Sequence, residues 1–148
     1  MHVRRVLRVL MFAAAAGLVA LAASCSTSPV APSPNLRGGV VATFEVGAER
    51  FRVFVTNPAA IEQLVALQRG LGLGSIPNGR VRRGPGAGGH NAPFSWHLDP
   101  VDIAMAELTI ELCDGSPAFV ESHVGEYVDV IGRYCPWGAR LVSLSDFR

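Results

Sequence analysis

The stretch Phe94-Ser95-Trp96-His97-Leu98-Asp99-Pro100 alternates at every step. Phe94, Trp96 and Leu98 fall on one side of an extended chain, and Ser95, His97 and Asp99 on the other. A period of two with one apolar face is the signature of a strand laid on a core. The polar face invites a chemical reading, because a serine, a histidine and a carboxylate stand two residues apart. On a strand, however, residues two apart are separated by roughly 6.5–7 Å at Cα. A Ser–His–Asp relay needs side chains within about 3 Å and a separate oxyanion hole, so this spacing argues against a triad. Asp99 has a structural use as the cap of a short turn over Pro100-Val101-Asp102.

Other strands and helices fall around this one. Val40–Val46 and Phe51–Thr56 read as strands joined by a turn at Gly47-Ala48-Glu49. Asn57-Pro58 opens a helix, since asparagine caps and proline is favoured at the first helical position. Ile61, Leu64, Val65 and Gln68 give that helix one stripe, and Gly70 ends it. From Gly70 to Pro93 the chain is rich in glycine and proline, interrupted by Gly79-Arg80-Val81-Arg82-Arg83, where Arg80 and Arg82 share a solvated face. The string Gly84-Pro85-Gly86-Ala87-Gly88-Gly89 fits a dinucleotide-loop spacing, but no strand leads into it and no helix follows, so it carries no function. Glu107–Cys113 reads as a strand with Leu108, Ile110 and Leu112 on one side. Ser116-Pro117 opens a second helix with Phe119, Val120, Val124 and Tyr127 inward and His123 at the border of that stripe. Leu141–Leu144 closes the chain as a strand. Strands before and between two helices predict an α+β domain with a mostly antiparallel sheet.

The N-terminal residues speak to location. Arg4, Arg5 and Arg8 precede an apolar run from Val9 to Ala23, about 15 residues and short of the ~20 that a spanning helix needs. Leu21-Ala22-Ala23-Ser24-Cys25 resembles the lipobox of bacterial lipoproteins, with Ala22 where leucine is usual. Residues 1–24 are therefore expected to be a lipoprotein signal peptide, with Cys25 the acylated first residue of the mature chain. The alternative is ordinary cleavage near Ala23. Residues 25–37, rich in proline and serine, form an extended tether. Residues 38–148 form one small domain. The expected place is the cell envelope, held on the membrane by the lipid and facing the periplasm or the exterior.

Cysteine and charge counts narrow the chemistry. With Cys25 acylated, the three cysteines leave one pair, Cys113 and Cys135, in a compartment where disulfides persist. The chain has no lysine, which rules out a lysine Schiff base. Setting aside Arg4, Arg5 and Arg8 from the 13 basic residues leaves 10 arginines against 12 carboxylates. A nucleic-acid partner is not expected from that balance. A metal site remains as the alternative: if Phe94–Leu98 paired with Glu107–Cys113, His97 would face Glu107 or Glu111. Asp99 or His90 would complete a mixed N/O set for zinc or manganese.

Asn57-Pro58, Ser95-Trp96-His97-Leu98-Asp99-Pro100, Glu111-Leu112-Cys113-Asp114-Gly115-Ser116-Pro117 and Tyr134-Cys135-Pro136-Trp137 occur in an order that resembles the BP-seventy-four N-terminal-like domain family of small exported domains. The resemblance spans about Val40 to Ser143, with Phe94 where tryptophan is expected. It implies the α+β fold and supports the Cys113–Cys135 pair, and it carries no activity onto any residue. The leading expectation is a lipid-anchored envelope protein whose small domain binds an unknown protein or small molecule without catalysis and without a cofactor. The alternative is a small metal-binding or metal-dependent enzyme domain centred on His97.

Overall fold

The hairpin that starts the domain shows how the sequence builds its sheets. Strand β1 (Val40–Val46) runs antiparallel to β2 (Glu49–Val55) through the two-residue turn Gly47-Ala48. Gly47 has φ of 60° and Ala48 does not share the positive sign. This is the pattern of a type II′ hairpin turn, which places glycine first. The computed structural model describes residues 36–148 apart from Leu73. The expected signal peptide, Cys25 and most of the expected tether lie outside the described residues. Leu36, placed at the end of the tether on sequence grounds, is instead buried against Val41, Phe54 and Phe147.

The last strand, β7 (Ala139–Asp146), pairs with β1 on the side away from β2. Its register shifts between Thr43 and Phe44, which leaves Val142 as the extra residue of a bulge. In chain order, helix α1 (Pro58–Gln68) follows β2 and starts as expected. The Asn57 side chain accepts a hydrogen bond from the Ala59 amide, proline opens the first turn, and Ile61 and Leu64 are buried.

The second sheet is organised by β3 (Ile76–Arg83), a strand eight residues long. The sequence pattern assigns this region to a loop and marks only Gly79–Arg83, because Pro77 and Gly79 dilute the strand signal. Each has a structural reason to be there. Gly79 lets the neighbouring chain approach, since a Cβ there would sit 3.1 Å from Ile103 and 3.3 Å from Leu98. Pro77 lies in the ladder with β5 (Ala104–Ala106), next to the strand's first residue. β3 also pairs antiparallel with β4 (Trp96–Leu98) and with the short β6 (Arg133–Tyr134). The expected α+β class therefore holds, with the antiparallel strands divided between two sheets.

Two expected elements differ in detail. Glu107–Cys113 is not a strand: β5 ends at Ala106, and Glu111–Cys113 forms a 3₁₀ turn. Leu108 is 82% exposed, Ile110 69% and Leu112 64%, so the apolar side of the alternation faces solvent. The second helix is broken into α2 (Pro117–Ser122) and the single turn α3 (Val124–Glu126), followed by a π turn over Tyr127–Ile131. At the break, Ser122 Oγ donates to the carbonyls of Ala118 and Phe119, and His123 Nδ1 bonds the Phe119 carbonyl. Such local side-chain bonds compete with the helical ladder. Val120 and Tyr127 are buried as expected, whereas Phe119 is half exposed and stacks on the ring of His123.

The core lies between the sheets. Trp96 contacts Phe51 at 5.9 Å, Phe94 at 5.5 Å and Tyr134 at 5.3 Å between ring centres, and Phe51 continues the cluster to Phe44. The Cys113–Cys135 disulfide closes a smaller cluster with Ile76, its Cα atoms 5.2 Å apart, inside the usual range.

Two substitutions test this assignment of faces. Trp96→Ala removes a fully buried ring and is expected to cost about 3–5 kcal/mol in a denaturant melt. Ile110→Asp, on the exposed side of the expected strand, should move the melt by about 0.5 kcal/mol or less. A large loss from Ile110→Asp would mean that Leu108, Ile110 and Leu112 are packed inside.

Candidate functional site

Because β4 alternates, burial of Trp96 and Leu98 turns Ser95, His97 and Asp99 to the opposite face. Their neighbours come from β3 and not from Glu107–Cys113. The register sets Arg82 opposite His97 and Val81 opposite Leu98. Glu107 and Glu111, the expected cross-ladder partners of His97, are therefore carried elsewhere on the chain. Arg82 reaches past His97 to Asp99, its Nη2 2.8 Å and its Nε 3.1 Å from Asp99 Oδ2. This guanidinium holds the Asp99 carboxyl below its ordinary range. The other oxygen of Asp99 accepts the Val101 amide, so Asp99 caps the turn after β4 as expected.

Ser95 does not join His97. Its amide donates to Glu121 Oε2 at 2.8 Å, which fastens the approach to β4 onto α2. His97 holds its Nδ1 2.8 Å from the Gly84 carbonyl. A carbonyl only accepts, so the proton sits on Nδ1. These bonds give the polar face to structure: one ion pair, one turn cap and one loop tie.

The structure brings one further expected residue to His97. His90, from the glycine-rich loop, lies 5.8 Å from it between ring centres and 6.0 Å from Phe54. His90 is buried, with Nδ1 3.1 Å from the Ala87 carbonyl. Its ring lies directly on Gly86, where a Cβ would come within 2.1 Å of it, and Gly86 has φ of 79°. Glycine is required there on both counts. Burial pushes the His90 pKa down to about 4, against a smaller upward pull from the Ala87 carbonyl.

Asn91, beside it, is the functional-looking residue that sequence reasoning missed. It is buried, its Oδ1 accepting the Arg52 amide at 2.8 Å and its Nδ2 donating to the Trp96 carbonyl at 2.9 Å. The loop is thereby bolted to β2 and β4. No local pattern announces this, because both partners are distant or on a separate strand.

Two surface grooves stand out among the described residues. One runs along Ala139–Val142 and the end of α1 at Leu67 and Gln68. Another is lined by Arg80, Arg82 and Arg133 with Val81, Val128 and Ile131. Two of its arginines are neutralised, Arg82 by Asp99 and Arg133 by Asp102 at 2.8 Å each. Arg80 and Arg82 are both exposed, as the solvated-face reading expects. Among the described residues, no group of three or more His, Cys, Asp and Glu side chains is placed to hold a metal ion, and no helix is long and apolar enough to cross a membrane.

Taken together, the geometry defines a small disulfide-linked α+β domain of two antiparallel sheets, with a polar face given to ion pairs and loop ties. The chain belongs to the BP-seventy-four N-terminal domain family, whose model matches residues 39–147. Among curated proteins and among solved structures, none matches it.

The burial of His90 has a consequence in acid. Its folded pKa of about 4 lies below the ordinary 6.5, so the unfolded chain takes up the proton first as pH falls. Stability conferred by neutral His90 is fully present above about pH 6.5 and is lost progressively down to about pH 4. The difference corresponds to about 3 kcal/mol. Denaturant melts at pH 7 and pH 4.5 should show a loss on this scale in the parent and a smaller one in His90→Gln. Equal losses in both would assign the acid sensitivity to other groups.

Proposed function

We propose that the chain is a lipid-anchored protein of the cell envelope, acylated at Cys25, whose domain serves as a non-catalytic binding module facing the periplasm or exterior. The anchor rests on the sequence: a basic start, a short apolar run, small residues before Cys25, and a proline-serine stretch after it. Diacylation with palmitate-type chains at Cys25 would supply the membrane contact. The domain would then lie near the bilayer surface, since the 11 residue-to-residue steps from Cys25 to Leu36 reach at most roughly 40 Å when extended.

The observation that carries the binding reading is the exposure of three large apolar side chains within five residues, Leu108, Ile110 and Leu112. Contiguous exposed apolar surface marks contact sites for other molecules. An ion-paired polar face and open, shallow grooves support binding over catalysis. The partner is proposed as a protein or small molecule met in the envelope.

Replacing the anchor tests the first half of this reading. Cys25→Ala should shift the protein from the membrane fraction to the soluble fraction, or leave it unprocessed at higher mass. Identical fractionation and mass for variant and parent, with no acyl chain found by mass spectrometry, would refute the anchor.

A further inference from the structure

We propose that two copies of the chain associate through β7, edge to edge and antiparallel, joining two three-stranded sheets into one. The two outer edges of the first sheet are treated differently. β2 is closed: its Arg52 amide donates to Asn91 Oδ1, the Arg52 side chain to the Ala92 carbonyl, and the Thr56 amide beyond it to the Pro100 carbonyl. β7 stands at the other edge. Among the described residues, only β1 hydrogen-bonds to the backbone of Arg140–Asp146. The free groups can be located. Thr43 of β1 stands opposite Arg52 on one side and Ser143 on the other. Because the Arg52 amide points away from β1 to Asn91, Thr43 turns its own backbone groups to Ser143. Direction alternates along a strand, so Leu144 and Asp146 present their amides and carbonyls outward. β7 contains no proline, and Ser143–Asp146 run regularly beyond the bulge at Val142. An open edge of this kind is a template for another strand.

Charge selects the occupant. β7 carries Arg140 near its start and Asp146 at its end. A two-fold axis through Ser143 sets Arg140 of each copy opposite Asp146 of the other, twice over. Opposite charges across a strand pair stabilise it, and like charges oppose it. An axis through Leu144, one residue on, would set Arg140 against Arg148. Within one copy Arg140 pairs with Glu45 and Asp146 with Arg148, the Arg140 and Asp146 side chains being 71% and 52% exposed. Exposed pairs of this kind are worth little, so the partners are free to exchange. The groove lined by Leu67, Gln68 and Ala139–Val142 flanks the half of β7 along which the second copy's Leu144–Arg148 would run. The edge is thus self-complementary, as a two-fold interface requires.

This contact uses neither Cys25 nor Leu108, Ile110 and Leu112, so it is tested independently of the reading above. The test uses the full chain carrying Cys25→Ser, purified in a density-matched detergent, which leaves no thiol outside the Cys113–Cys135 bridge. Ser143→Cys is added, oxidised with diamide and run on a non-reducing gel. On the axis the two Cα atoms at 143 lie about 4.5 Å apart, within reach of a disulfide, and a band at twice the chain mass is expected. Ser145→Cys, two residues away, meets its own copy at roughly 13 Å and should cross-link at background level. By sedimentation, Arg140→Asp and Asp146→Arg should each weaken the dimer by about tenfold or more, and the two together should restore it. The proposal is overturned if the parent sediments as a monomer at the highest concentration reached, or if Ser143→Cys fails to cross-link. Cross-linking of Ser145→Cys as strong as that of Ser143→Cys, or a charge swap that does not restore association, would overturn it as well.

Discussion

The contact between Phe51, Trp96 and Tyr134 is the one on which the other elements depend. Phe51 belongs to the first sheet, and Trp96 and Tyr134 to two strands that flank β3 in the second. Their ring centres lie 5.3–5.9 Å apart, in the offset and edge-to-face range that adds to area burial. A domain of about 110 residues has a small core, so three large rings supply a large share of what holds a three-stranded and a four-stranded sheet together. Once Trp96 is committed inward, β4 must show His97 and Asp99 outward. The placement of the polar face is thus a consequence of aromatic packing.

The tyrosines extend this cluster into the cystine end. Tyr127 donates its hydroxyl to the Asp114 carbonyl, and Tyr134 to the Gly115 carbonyl at 3.0 Å. The turn after Cys113 is therefore held by rings whose bodies are in the core. A β-carbon on Gly115 would sit 2.9 Å from the Tyr127 hydroxyl, and its φ is 145°, so this glycine is set by both space and backbone. The disulfide links the same two segments, with the Cys135 amide bonded to the Cys113 carbonyl at 2.8 Å. Covalent and non-covalent ties converge where the chain carries least regular structure.

Local signals are legible in the sequence, and long-range ones are not. The cap at Asn57, the hairpin at Gly47, the inward face of Trp96 and the cysteine pair follow from residues within a few positions, or from simple parity. Most of β3 escapes because Pro77 and Gly79 lower the apparent strand propensity, while the reason for Gly79 lies in Ile103 and Leu98 on other segments. The metal geometry expected for His97 fails at its premise: the ladder joins β4 to β3, so Glu107 and Glu111 do not face it. His90 does reach His97, but through a loop whose path is fixed by Asn91 bonding two strands. Such a bond is a tertiary fact with no periodic trace.

The ridge at Glu107–Leu112 shows where pattern and fold part company. Its alternation is as regular as that of β4, yet a strand also needs a neighbour to lie against. β5 runs antiparallel to β3, and its Ala106 already sits opposite Ile76, the first residue of β3. One residue further on, the ladder has run out. The chain therefore leaves the sheet at Ala106 and runs to the 3₁₀ turn that delivers Cys113 to the disulfide. Leu108, Ile110 and Leu112 stay outside, and burial of each would have contributed about 1.5–3 kcal/mol. Folding alone gives no reason to place three such side chains at alternate positions on the surface. The binding function proposed above would supply one, in a partner that covers them.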